Sequence, residues 1–187
     1  MWWTPSASVV LGVAILILMG WYLTFSATRL DRLHARTEGA RNALDTQLVR
    51  RASAALQLAS SGRLDPATSL LLAGSAEEAL LAQGLDHPAR EQLESDLTAA
   101  LDAAFADSEH VAELRSDPVG RELAHELQSA CLRVQLARRF LNDVVRSTRV
   151  VRRKRVVRYL RLAGHAPWPQ TFEMSDAPPR GLAASSA

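Results

Sequence analysis

The chain is predicted to be all-α: a single N-terminal transmembrane helix followed by an antiparallel four-helix bundle. Three observations carry that prediction. Val9 to Ala27 is an uncharged run of nineteen residues, and at about 1.5 Å per residue such a run crosses a hydrocarbon core of roughly 30 Å. Beyond it, apolar residues recur at three- and four-residue steps, the period of an amphipathic helix. Ala, Leu and Arg dominate while aromatic residues make up 5% of the chain, a composition that favours helices packed through small and aliphatic side chains over sheets.

The apolar run reads as an uncleaved anchor. Trp2 and Trp3 on one side and Trp21 and Tyr22 on the other are spaced to sit at the two membrane interfaces. A cleaved secretory signal would need a basic leading region, which is missing, and a small-x-small cleavage site, of which Thr24-Phe25-Ser26 is a poor example. Arg29, Arg32, Arg36, Arg41, Arg50 and Arg51 follow the run and no Lys or Arg precedes it, so the positive-inside bias puts the remainder in the cytoplasm of the cell, with the N-terminus outside. The expected organisation is an N-terminal segment and anchor over 1–28, one cytoplasmic bundle over 29–164, and a flexible Pro/Ser/Ala-rich tail over 165–187, extended or disordered.

Leu30, Leu33, Thr37, Ala40, Leu44, Leu48, Ala55 and Leu58 continue the anchor into one long helix, stopped at Ser60-Ser61-Gly62. Asp65-Pro66 reads as a cap and first residue of a second helix with Leu70, Leu71, Ala76 and Leu80 inward, ended by Gly84. A third opens at Asp86-His87-Pro88 and carries Leu93, Leu97, Leu101, Ala104, Val111 and Leu114, with Asp107-Ser108 as a candidate break. Ser116-Asp117-Pro118 opens the fourth, whose seam runs Leu123, Leu127, Ala130, Val134, Ala137, Leu141, Val144, Thr148 and Val151. Short connections imply antiparallel neighbours.

The net charge of +2 conceals a strong asymmetry. Residues 77–126 hold thirteen acidic residues against three arginines, while residues 133–161 hold eleven basic residues against Asp143 alone. Helix faces of opposite sign can neutralise one another. Within the basic stretch, Val144-Val-Arg, Val150-Val-Arg and Val156-Val-Arg open three short repeats. Arg146, Arg149, Arg152, Arg153, Lys154, Arg155, Arg158 and Arg161 wind around the helix instead of sharing one face. They form a candidate contact with anionic lipid at the inner leaflet, each charge attracted by about 1 kcal/mol.

Evidence for chemistry is thin. Glu122-Leu-Ala-His125, with His110 and Asp107 nearby in sequence, imitates part of the di-metal pattern of four-helix bundles, which makes a metal-dependent bundle enzyme the alternative reading. The two further central carboxylates that such a site needs are not recognisable. Gly-rich phosphate loops, Cys-x-x-Cys and Gly-x-Ser-x-Gly are absent from the sequence. The expectation is therefore no catalytic residue, cofactor or metal. Cys131 is the one cysteine and reads as a small buried apolar residue. A basic helix also invites nucleic acid, but Tyr159 is the one aromatic from Arg146 to Arg161 and offers little stacking.

Two stretches carry a family resemblance. Leu44-Asp-Thr-Gln-Leu-Val-Arg-Arg51 matches a first-helix pattern of apolar residue, Asp, Gln and paired basic residues. Ala137-Arg-Arg-Phe-Leu-Asn-Asp-Val144 matches a last-helix pattern, and Phe172-Glu173 follows in the tail. In these stretches the chain resembles the LemA family, bacterial single-pass membrane proteins with a cytoplasmic antiparallel bundle and no well-established activity. It departs from the family at Leu141 and Thr148. Read physically, the motif residues Asp45, Gln47, Arg50, Arg51, Arg138, Arg139, Asn142 and Asp143 are polar contacts between helices, and the expectation is a membrane-anchored, LemA-like scaffold or interaction protein with an unidentified protein partner. Arg50 or Arg138 is the expected partner of Asp45.

Overall fold

A computed structural model of the chain describes residues 7–85, 87–153 and 167–183. Every regular element among the described residues is helical: α1 (Ala7–Ala59), α2 (Pro66–Leu81), α3 (His87–Ala104), α4 (Ser108–Ser116), α5 (Pro118–Arg152) and the short α6 (Arg180–Ala183). The helix limits follow local chemistry. The Ser60 and Ser61 hydroxyls donate to the Leu56 and Leu58 carbonyls at 2.8 and 2.7 Å, closing the last turn of α1. Asp65 caps α2 by accepting from the Ala67 and Thr68 amides, both at 3.0 Å, with Pro66 in the first turn, where no amide is needed. Past the end of α2, Gly84 takes φ 88°, a conformation open to glycine at little cost.

The expected third helix is two helices. Asp107 accepts from the Glu109 amide at 2.9 Å and so starts α4, while Phe105 before it is buried. Asp117 accepts from the Gly120 amide at 2.6 Å at the head of α5 and is ion-paired with Arg63. The hydrogen bonds from Thr68 to Asp65 and from the Glu109 amide to Asp107 hold both carboxyls below their usual range.

The chain divides into two compact units. One comprises Met1–Gly39 and Asp143–Gln170, the other Ala40–Asn142 and Thr171–Ala187. The second holds a continuous apolar core drawing Ala55 and Leu58 from α1, Leu72 and Ala76 from α2, Leu97 and Leu101 from α3, Val111 and Leu114 from α4, Leu127 and Cys131 from α5, and Leu182 from α6. Burial pushes the Cys131 thiol up from its ordinary value, in keeping with an unreactive core residue.

In the first unit, the Thr37 and Thr148 hydroxyls meet at 3.4 Å. All side chains described between Val9 and Tyr22 are exposed. Among the described residues no helix is long and apolar enough to cross a membrane.

The tail corrects expectation. It is extended, but the described part is packed: Phe172 is 3% exposed and Leu182 fully buried. Phe172 and Leu182 are both enclosed, so the Pro/Ser-rich composition misleads about order there.

Candidate functional site

Arg51 is the largest fully buried side chain, and Glu94 beside it is equally enclosed. The Arg51 guanidinium donates to the Glu94 carboxylate at 2.6 Å, to the Glu94 carbonyl at 2.9 Å and to the Thr98 hydroxyl at 2.9 Å. Glu94 and Thr98 share the inward phase of α3 with Leu97 and Leu101, so the helix period that builds the core also delivers a carboxylate to Arg51. Burial pushes the Glu94 carboxyl above its ordinary value, opposed by the adjacent Arg51 charge.

Thr98 links this pair to the tail. Its hydroxyl accepts from Arg51 and donates to the Ser175 carbonyl at 2.8 Å. From α3, the Ser95 hydroxyl accepts the Ser175 amide at 3.1 Å and the Glu91 carboxylate accepts the Glu173 amide at 2.8 Å. From α5, Asn142 exchanges two bonds with the Phe172 backbone, Gln135 donates to the Asp176 carbonyl at 2.6 Å, and Arg138 pairs with the Asp176 carboxylate at 2.7 Å. Gln135, Arg138 and Asn142 lie on one face of α5 at helical spacing and meet the extended tail segment 172–176, the strap, in reverse order. An extended segment cannot satisfy its own amides and carbonyls, and here side chains from two helices do so.

The motif residues thus reach different destinations from those expected. Asp45 pairs with Arg90 at 3.0 Å, not with Arg50 or Arg138. Arg138 is already engaged by Asp176, and Arg50 points to solvent, lining an open cleft of about 570 Å³ with Asp45, Gln83 and Arg90. Arg51 is indeed a buried polar contact between helices, α1 to α3. Asn142 joins α5 to the strap, not to another helix. The Gln47 side-chain oxygen is enclosed without a hydrogen bond. Arg139 and Asp143 are exposed, and Asp143 meets Arg146 at 3.5 Å, one turn on.

The basic segment also divides. Arg149 donates to the Pro169 carbonyl at 2.8 Å and Arg152 to the Pro167 carbonyl at 2.6 Å, with Arg152 stacked 5.1 Å from the Trp168 ring centre. These two are half-buried and committed to the chain, whereas Arg146 and Arg153 are exposed. Lys154, Arg155, Arg158 and Arg161 lie outside the described residues, as do Trp2 and Trp3. Trp21 and Tyr22 are exposed.

The metal constellation does not assemble. Glu122 and His125 are exposed on α5 and His110 pairs with Asp107 at 3.0 Å. Among the described residues no three His, Cys, Asp or Glu side chains converge as a metal site. Sequence reasoning missed Glu94, Thr98, Glu91, Ser95, Gln135 and Asp176. Only Glu94 and Thr98 carried a signal, their coincidence with the apolar phase of α3. No family model, curated protein or solved structure matches the chain.

Proposed function

We propose that the chain is a membrane-anchored helical scaffold or interaction protein at the cytoplasmic face, similar in kind to the LemA family and without a catalytic role. One observation carries this reading. From Val9 to Tyr22 each described side chain is exposed, including Leu11, Leu16, Ile17 and Leu18 at 61–65%. A helix apolar on all sides is stable only when something apolar surrounds it. Among the described residues none covers these side chains, and the uncharged sequence continues to Ala27, so a bilayer is the surrounding that fits.

The motif residues support the scaffold half of the reading. Arg51, Arg138 and Asn142 spend their polar groups on internal contacts, as residues that hold a structural body together do. Exposed Arg146 and Arg153 are available to anionic headgroups, and the sequence carries further basic residues at Lys154, Arg155, Arg158 and Arg161.

Fractionation of cells expressing the full chain tests the proposal. Wild type is expected to stay in the membrane pellet through alkaline extraction, with a C-terminal tag digested only after the cells are opened. Leu16→Arg with Leu18→Arg should release it. Wild type in the soluble fraction would overturn the anchor, and a tag cleaved on intact cells would overturn the orientation.

A further inference from the structure

The second unit turns two apolar helix faces outward, with flanking charges of opposite sign. On α2, Leu70 and Leu71, expected inward, are 77% and 50% exposed because Leu72 takes the core-facing phase with Ala76 and Ala79, and Leu81 is 81% exposed. Glu77 and Glu78 lie exposed between them and are the only charged residues from Pro66 to Gln83. On α5, Leu132 and Leu136, one turn apart, are 45% and 66% exposed, and Phe140 follows at 49%. Exposed Arg133 and Arg139 border them, and Arg138, the other charge between Gln128 and Asn142, is already paired with Asp176.

We propose that the α5 face of one copy docks on the α2 face of a second copy. The lengths agree: Leu132 to Phe140 spans about 12 Å of helix and Leu70 to Leu81 about 16 Å. The relief agrees as well, because the space above Gly74 is open between the Leu70–Leu71 turn and Leu81, a notch that receives Leu136. Arg133 and Arg139 then face Glu77 and Glu78, and the leucines that each chain leaves in water are covered. Two different patches meet, so the contact either closes a symmetric pair in which both patches are used twice, or propagates from copy to copy. This names a partner for the interaction role proposed above, yet it uses only residues 40–142 and stands independently of the anchor.

Sedimentation velocity on the full chain in mild detergent, with helicity and melting temperature as fold controls, is the test. Wild type should associate. Arg133→Glu with Arg139→Glu should weaken association by about a hundredfold or more, since like charges then face each other. Glu77→Arg with Glu78→Arg should do the same. An equimolar mixture of the two folded variants should associate again, because each acidic α5 face meets a basic α2 face. A monomeric wild type, association insensitive to both charge reversals, or a mixture that stays monomeric would overturn the proposal.

Discussion

The Asn142 side chain holds the Phe172 backbone from both sides, its amide nitrogen donating to the Phe172 carbonyl at 3.1 Å and its oxygen accepting the Phe172 amide at 2.9 Å. Both residues are buried, so neither backbone group has water as an alternative partner. The same residue thereby positions the Phe172 ring in the core.

Asn142→Ala should destabilise the chain by about 1–3 kcal/mol, the cost of stranding buried polar groups. Denaturant unfolding reads this directly. An unchanged midpoint would mean the strap does not depend on the clamp.

Removing one member of the buried ion pair should cost more. Arg51→Met leaves the Glu94 carboxylate enclosed without its charge partner, and a loss of about 3–5 kcal/mol is expected. Adding Glu94→Leu should recover much of that loss, because an apolar pair of similar volume carries no desolvation penalty. A double variant as unstable as the single one would show that Thr98 and the strap, not the isolated charge, account for the effect.

The pair should also leave a mark on the pH dependence. Glu94 has an ordinary value of 4.5 and is raised in the folded chain, chiefly by burial. The folded chain therefore holds this proton more tightly than the unfolded one. The Glu94 contribution to stability is complete below 4.5 and is lost as pH rises through the raised folded value. Measured against Glu94→Gln, which does not titrate, wild-type stability should decline across that window and run parallel above it. A difference that grows with pH would show that the Arg51 charge outweighs burial.

Leu182 tests the order of the tail. It is fully enclosed in the core, and the Arg115 guanidinium donates to its carbonyl at 3.0 Å. Leu182→Ala should cost about 2–5 kcal/mol. Calorimetry of the full chain decides, and a melting temperature unchanged within error would return the tail to the mobile state that its composition suggests.

Periodicity, capping residues and breakers were enough to place α1, α2 and α5 and to mark Asp107 as a candidate break, because these depend on neighbours within one turn of helix. The core phase of α5 was equally legible, with Leu127, Val134 and Leu141 all fully buried. Partner choice was not. Asp45 had several arginines within reach along the sequence, and nothing local distinguishes Arg90 from Arg50 or Arg138; only the approach of α3 to α1 brings Arg90 within 3.0 Å. The strap was harder still. A Pro- and Ser-rich segment has no period and few apolar residues, so its order depends on hydrogen bonds supplied by Glu91, Ser95, Thr98, Gln135 and Asn142 from distant parts of the chain. By itself the sequence determined the helical class, the helix limits and the uncharged N-terminal run, all properties of short-range sterics and hydrophobicity. Tertiary structure alone decided which charges are paired, which leucines remain uncovered and where the tail lies, because those depend on which side chains the packed helices bring within hydrogen-bonding distance.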